Sequence, residues 1–239
     1  METAGSFSRW RVTVALLAAA VAVAIPVGCG GEEDSSAQAA PVKCRRAEWP
    51  EPWDGGHYRR PEYVVGRDED LIALVNTSCG PFRIALDSRR APKTVSSFAK
   101  LAKNGFYESR AFDQITPGFI IQIGDPLGTA TNSSGPGYST TERPPAGFHY
   151  TRGMVAMSKR PSDPSGYSRS QFFIVLAPEA KLPAEYALIG RVDKGMEVVD
   201  RIGEFGDISG RPMKPVVIDW IWARKPTPKE EETGVMQLP

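Results

Sequence analysis

The sequence predicts a mainly β protein, a closed eight-stranded antiparallel barrel capped by two α-helices. Three observations carry that expectation. Short runs with apolar residues at alternate positions recur from about Asp68 onward. Two stretches carry apolar residues at helical spacing instead. Connections rich in Gly, Pro, Ser and Asn separate these runs, in a chain with 23 Gly and 21 Pro among 239 residues.

Taken in order, residues 71–75 and 82–86 flank Ser78-Cys79-Gly80-Pro81. Phe82, Ile84 and Leu86 alternate with Arg83 and Ala85, so the pair reads as a hairpin. Residues 92–104 read as a helix. Pro92 sits in its first turn, Val95, Phe98, Leu101 and Ala102 make one apolar face, and Gly105 is the stop. That helix is expected to cover an open end or face of the sheet. Short strands follow at 111–116, 119–123, 154–157, 172–176 and 187–192. A second helix at 196–202 places Met196, Val199 and Ile202 on one side, before a last strand around 216–222. Eight short strands with two helices suit a closed barrel with helical lids. The tail, 224–239, mixes three basic and three acidic charges with three prolines and is expected to be disordered.

Composition narrows the function. A content of 41% hydrophobic and 24% charged residues fits one or two globular domains. A formal charge of +1 provides no basic field, so nucleic acid is excluded as the expected partner. His57 and His149, with cysteines at 29, 44 and 79, assemble no zinc-type spacing, so no metal is expected.

The N-terminus reads as an export signal over residues 1–28. Arg9 and Arg11 precede an apolar run, 12–25, that is short against the roughly 20 residues a membrane span needs. The following Val27-Gly28-Cys29-Gly30-Gly31 resembles the cleavage and lipidation box of bacterial lipoproteins, apart from Pro26. That resemblance implies a lipid on Cys29 and attachment to the outer face of the cell membrane; simple cleavage and secretion is the alternative. Removing residues 1–28 takes away Glu2, Arg9 and Arg11 and leaves 27 basic and 27 acidic residues. Attachment would therefore rest on lipid and not on charge. Residues 29–41 form the lipidated end and an acidic, small-residue spacer, and 42–67 form an extension rich in Trp, Pro and Arg. With Cys29 lipidated, Cys44 and Cys79 are the remaining pair in an oxidising compartment, and a disulfide is expected between them. It would pin the extension to the domain at 68–223.

Within that domain, Phe106-Tyr107 and the run from Phe112-Asp113-Gln114-Ile115-Thr116 through Pro117-Gly118-Phe119-Ile120-Ile121-Gln122 to Gly124-Asp125-Pro126 resemble the first signature of the cyclophilins, the peptidyl-prolyl isomerases. Gly135-Pro136-Gly137-Tyr138 and Arg152-Gly153-Met154-Val155-Ala156-Met157 resemble the segments that follow it in bacterial members. Ser170-Gln171-Phe172-Phe173-Ile174 resembles the second signature, and Ile189-Gly190-Arg191-Val192 with Gly195-Met196-Glu197-Val198 the closing one. Each piece is weak alone; their collinearity across 70–222 is specific. The family's eight-stranded barrel with two helices agrees with the reading from periodicity.

The resemblance implies catalysis of cis-trans isomerisation at X-Pro bonds of unfolded or folding exported polypeptides. An X-Pro amide rotates over a barrier of about 18 to 20 kcal/mol and takes tens to hundreds of seconds unaided. No bond is made or broken. The reaction needs an apolar seat for the ring, groups that hold the flanking backbone, and a donor for the prolyl nitrogen as it loses conjugation. No cofactor is implied, and the chain is expected to act as a monomer. By resemblance the seat is Phe119, Ile120, Phe173 and Leu182, edged by Tyr186, with Gln122 orienting substrate backbone and Gln171, Ser158 and Lys159 lining the groove. Phe119, Gln122 and Gln114 would carry the catalysis.

The chain departs from the family where His then Arg are usual. Here Asp113 and Gln114 stand, and Gln114 offers an uncharged donor to the prolyl nitrogen. Turnover is expected to be lower in consequence, and a non-catalytic proline-binding or chaperone-like module on the same fold is the alternative. Ile120 stands for a common Met and Ile123 for a small residue, which is expected to reshape the groove. Ser158-Lys159 stand for the usual Ala-Asn, and Lys159 or Arg169 are candidates to replace the missing guanidinium.

Overall fold

The computed structural model describes residues 41–239, except 54, 55, 63, 132–134 and 239. The expected signal at 1–28, Cys29 and all of the spacer but Pro41 lie outside the described residues. Among those described, no helix is long and apolar enough to cross a membrane.

Strands β1 (Leu71–Thr77) and β2 (Gly80–Leu86) make the hairpin that the alternation predicts. Gly80 turns it with a φ of 107°, a conformation that costs other residues a Cβ clash. Helix α1 (Pro92–Lys103) follows, with Asn104 as its C-cap. The expected strand over 111–116 is two pieces, β3 (Arg110–Ala111) and β4 (Gln114–Thr116), before β5 (Ile120–Ile123). Then come β6 (Thr140–Thr141), β7 (Tyr150–Thr151), β8 (Met154–Met157), β9 (Tyr167–Ser168), β10 (Phe172–Val175), β11 (Glu179–Ala180) and β12 (Leu188–Lys194). Helix α2 (Met196–Gly203) and strand β13 (Val217–Arg224) complete the domain.

The main sheet runs β3-β13-β1-β2-β12-β8-β10-β5-β4, antiparallel throughout. Its outer members are two halves of one run broken at Phe112 and Asp113. The Phe112 N–H donates to the Val216 carbonyl on one side, and the Asp113 N–H to the Gln122 carbonyl on the other. The sheet therefore closes through its own chain. A corner in one strand lets it serve as the first and last stave, which removes both open edges.

Alternation sorts the side chains. Phe82, Ile84, Ile121, Ile123, Val155, Met157, Phe172 and Ile174 point inward and are buried in the main core. Helix α1 covers the barrel with Val95, Phe98 and Leu101, and the Phe98 ring meets Phe172 edge-on at 5.4 Å. Helix α2 buries Val199 and Ile202. Ile123 lies in this core, so the expectation that it reshapes the groove is corrected: pairing with Phe172 fixes its side chain on the inner face.

The extension packs as a strap. Cys44 and Cys79 are joined by a disulfide, and the Arg45 N–H donates to the Ser78 carbonyl at 2.8 Å. Trp53 meets Phe106 at 5.1 Å, and the Arg110 guanidinium lies over the Trp53 ring, 5.2 Å from its centre. The disulfide closes a loop with a sequence separation of 35, and cross-linking a loop of that size is worth about 3 to 4 kcal/mol through the unfolded chain. Cys44→Ser is therefore expected to lower the denaturation midpoint by an amount equivalent to that loss. An unchanged midpoint would mean that the barrel does not depend on the strap.

The tail is not disordered, which corrects the composition-based expectation. Helix α3 (Pro228–Thr233) opens on a capping box in which Thr227 and Glu230 bond reciprocally. Glu230 is buried yet paired to both terminal nitrogens of Arg224, at 2.7 and 3.0 Å, and accepts from the Gln237 N–H. These partners, with Arg224 foremost, hold its carboxyl down at about 2. The signature Thr-x-x-Glu with Pro228 in the first turn was present in the sequence. A net-neutral, proline-rich composition hid it.

Candidate active site

The face opposite the core carries the site. In β5 the residues that alternate with the inward Ile121 and Ile123 are Ile120 and Gln122; in β10 they are Phe173 and Val175; in β8, Ala156. Strand register sets Gln114 opposite Gln122, Gln122 opposite Phe173, and Phe173 opposite Ala156. A single row across four strands thus runs Gln114, Gln122, Phe173, Ala156. Directly opposed side chains have their Cβ atoms about 5 Å apart. Two amides therefore stand beside one aromatic ring.

Around Phe173 a second apolar cluster forms, separate from the barrel core. It buries Ile120, Tyr150, Ala156, Val175, Ala177 and Ala180, with Phe119, Leu182 and Tyr186 half-buried against it. The rings pack edge-on: Phe173 to Tyr186 at 5.3 Å and Tyr150 to Tyr186 at 6.0 Å. The structure thus brings together Phe119, Ile120, Phe173, Leu182 and Tyr186, all singled out from the sequence. It adds Tyr150, whose hydroxyl donates to the Tyr186 carbonyl at 2.6 Å and accepts from its N–H at 2.9 Å. Phe148 meets Tyr150 at 5.1 Å, and Met154 packs beside them. The alternation Phe148-His149-Tyr150 was the signal that could have found this short strand. Burial pushes the Tyr150 hydroxyl up to about 12 against the opposing hydrogen bond to the Tyr186 backbone, so it stays neutral.

Gln114 is half-buried, with its side-chain N–H reaching the Thr116 hydroxyl at 3.3 Å. Next to it, Asp113 accepts from the Asp125 N–H at 2.9 Å, while the Gln171 amide lies 3.5 Å from the same Oδ2. Its Oδ1 is buried with no hydrogen-bond partner, as is the Gln171 Oε1. Burial, aided by the Asp125 carboxylate, pushes the Asp113 carboxyl up to about 7.

Neither candidate cation replaces the guanidinium. Lys159 is buried against the Glu185 carboxylate at 2.9 Å and donates to the Asp163 carbonyl at 3.1 Å, over the Tyr186 ring. Arg169 lies over Tyr167, 5.1 Å from its ring centre, and 3.9 Å from Asp163. The Lys159 charge is taken up by Glu185 and loop carbonyls, and the Arg169 charge lies beside Asp163. Ser158 is buried where its N–H meets the Gln171 carbonyl, which tethers that loop to β10.

This arrangement can seat a small apolar ring on Phe173 and present two neutral amides along one side. It holds no nucleophile poised for attack, in keeping with a reaction that rearranges conformation alone.

The chain is similar to known proteins in sequence and fold. Residues 72–221 match the family model described as cyclophilin type peptidyl-prolyl cis-trans isomerase. The chain is 38% identical over 133 residues to peptidyl-prolyl cis-trans isomerase-like 1 of Aspergillus fumigatus, spanning 54% of this chain and 80% of that protein. It is 37% identical over 146 residues to the isomerase ppi1 of Schizosaccharomyces pombe, spanning 60% of this chain and 93% of that one. A crystal structure of a Cryptosporidium parvum cyclophilin, obtained in the presence of the dipeptide Ala-Pro, superposes with a TM-score of 0.58 at 27% identity, covering 65% of this chain and 99% of that one. With the match running through more than half of its length and over every stave of the barrel, the chain belongs to the cyclophilin-type peptidyl-prolyl cis-trans isomerases.

Proposed function

We propose that the protein isomerises X-Pro bonds of exported polypeptides as they fold, from the outer face of the cell membrane, at a rate below that of relatives with arginine in place of Gln114. The observation that carries the isomerase reading is the row Gln114, Gln122, Phe173 beside the Phe119–Tyr186 aromatic cluster. A proline ring on Phe173 leaves its amide next to both side chains. Gln122 is buried and held by strand pairing, so it can fix the carbonyl before proline without reorganising. Gln114 supplies a neutral donor for the prolyl nitrogen, which supports the lower rate.

A second reading is a proline-binding module with little turnover, favoured by the bond that draws the Gln114 amide to Thr116. The cis-to-trans rate of a short Ala-Pro peptide in the presence of the full chain separates the two. Acceleration well above background that is lost in Phe173→Ala supports the enzyme. Peptide binding without acceleration supports the module.

The export route rests on residues 1–29. The pattern of Arg9 and Arg11, the apolar run and Val27-Gly28-Cys29 supports a lipid-anchored form. Metabolic labelling with a fatty acid tests it: label present in the chain and absent from Cys29→Ala is the expected result, and label absent from both would overturn the anchor.

A further inference from the structure

Beside the aromatic groove lies a cavity of about 930 Å³ that a proline ring on Phe173 does not fill. Four pieces of chain wall it: the strap at 49–52, the broken strand at 110–114, and the turns at 125–130 and 207–213. The strap belongs to the part of the chain that precedes the family match, which begins at residue 72.

Both turns are fixed. The Asp207 carboxylate accepts from the Ser209 N–H, the Ser209 hydroxyl and the Arg211 N–H. The Gly210 carbonyl accepts from the Ile115 N–H at 3.0 Å, and Gly206 lies so close to strand β4 that a Cβ there would sit 1.8 Å from the Ile115 carbonyl oxygen. In the other turn the Asp125 carboxylate accepts from the Leu127 N–H and the Thr129 hydroxyl. The strap is anchored too, by Arg110 donating to the Glu51 carbonyl and the Trp53 N–H donating to the Pro126 carbonyl.

These rigid pieces hold large apolar side chains out in water around one opening. Of the lining residues Met213 is 64% exposed, Trp49 55% and Leu127 40%, and Ile208, which stands outside the lining between Asp207 and Ser209, is 102% exposed. Single exposed apolar residues are ordinary; a ring of them on braced turns marks a docking surface. Two features say what docks. The opening is continuous with the proline row, because Gln114 lines the cavity and faces Gln122 in the row. And three carboxylates, of Glu51, Asp125 and Asp207, line it together with the Asp113 carboxyl, against the guanidiniums of Arg110 and Arg211. The chain's own residues 30–41 carry Glu32, Glu33 and Asp34 and no basic residue, the wrong sign for this surface.

We infer that this cavity is a second substrate subsite, which takes an extended segment of the same polypeptide a few residues from its proline and prefers apolar side chains accompanied by Lys or Arg. The inference rests on the isomerase reading for the position of the proline. It assigns to the strap, beyond packing, a role in choosing which prolines are served.

The test uses the full chain and three labelled peptides, read by fluorescence anisotropy. One is a short Ala-Pro peptide, the second carries Leu-Lys pairs on both sides of that Ala-Pro, and the third carries Leu-Glu pairs instead. The Leu-Lys peptide is expected to bind roughly tenfold more tightly than the Leu-Glu peptide, since complementary charge discriminates partners. Trp49→Ala combined with Ile208→Ser should remove the gain over the short peptide while leaving short-peptide affinity unchanged. Glu51→Lys should narrow the preference for Lys over Glu.

An equal gain in wild type and the double variant, or no preference between the two long peptides, would overturn the subsite. So would a chain that sediments as a dimer and becomes monomeric on Ile208→Ser, which would give the surface to a second copy. Failure of the short peptide to bind counts against the isomerase reading alone, because dependence on Trp49 and Ile208 is read on the long peptide.

Discussion

Gln114→Arg is expected to raise kcat/KM for X-Pro isomerisation by about one to three orders of magnitude, equivalent to about 1.4 to 4 kcal/mol of transition-state stabilisation. As the amide twists, the prolyl nitrogen loses conjugation and its lone pair becomes a hydrogen-bond acceptor. A charged donor makes a bond about twice as strong as a neutral one. Gln114 is placed across from Gln122 by strand pairing, so position 114 is already aimed at the row that would hold the peptide. Its neutral amide is drawn instead to the Thr116 hydroxyl.

A longer guanidinium has room, because position 114 borders the open cavity described above. Affinity for the ground-state peptide should change little, since the gain appears only in the twisted state. The measurement is the rate of cis-to-trans conversion of an Ala-Pro peptide with each protein. Equal, fast turnover by both would show that another group already serves the nitrogen and that the attenuated-enzyme reading is wrong.

Asp113→Asn is expected to stabilise the protein at pH 8 and to do so much less at pH 5. The carboxyl of Asp113 is pushed up to about 7 in the fold, chiefly by burial, against about 3.9 in the unfolded chain. Between those values the folded state holds a proton that the unfolded state has lost. Stability is therefore full below about pH 4 and falls as pH rises through about 7. Three pH units correspond to at most about 4 kcal/mol, reduced because the residue as a whole is only half-buried.

Asparagine removes the titration. Its NH2 can also donate toward the Gln171 Oε1, which has no partner in the wild type. Glu230 does not blur the comparison. Its folded carboxyl is held down at about 2, so its contribution is complete above its unfolded value near 4.3 and is lost only as pH falls toward 2. Urea unfolding at pH 5 and pH 8 gives the answer. A wild type equally stable at both, or an Asn variant with the same pH slope, would show that the Asp113 carboxyl titrates normally.

Those two neighbouring positions show how far the sequence reaches. Collinear motifs placed Gln114 and Asp113 where the family has Arg and His, and that chemistry was legible without coordinates. What became of the missing charge was not. Lys159 and Arg169 lie near the groove in sequence, but their charges are taken up by Glu185, Asp163 and carbonyls of one loop. Such pairing depends on how a loop folds back on itself, and residue spacing carries no trace of it.

The same division runs through the whole molecule. Period-two alternation, a proline in a first turn and a glycine at a helix end act over a few residues, so the hairpin, α1, α2 and the central strands were determined by the sequence by itself. The aromatic seat and the two amides were named through the family resemblance, and the strand register then put Gln114, Gln122 and Phe173 in one row on the outer face.

Tertiary structure alone decided the corner at Phe112 and Asp113 that closes the barrel, the burial of a carboxyl with one oxygen unpartnered beside the reacting row, and the path of the strap over Phe106. It also decided that Ile123 faces the core while Ile120 faces the groove. Each depends on groups far apart in the chain meeting at a set distance. Local signals decay within a turn or two, and burial and charge pairing exist only once the sheet has closed.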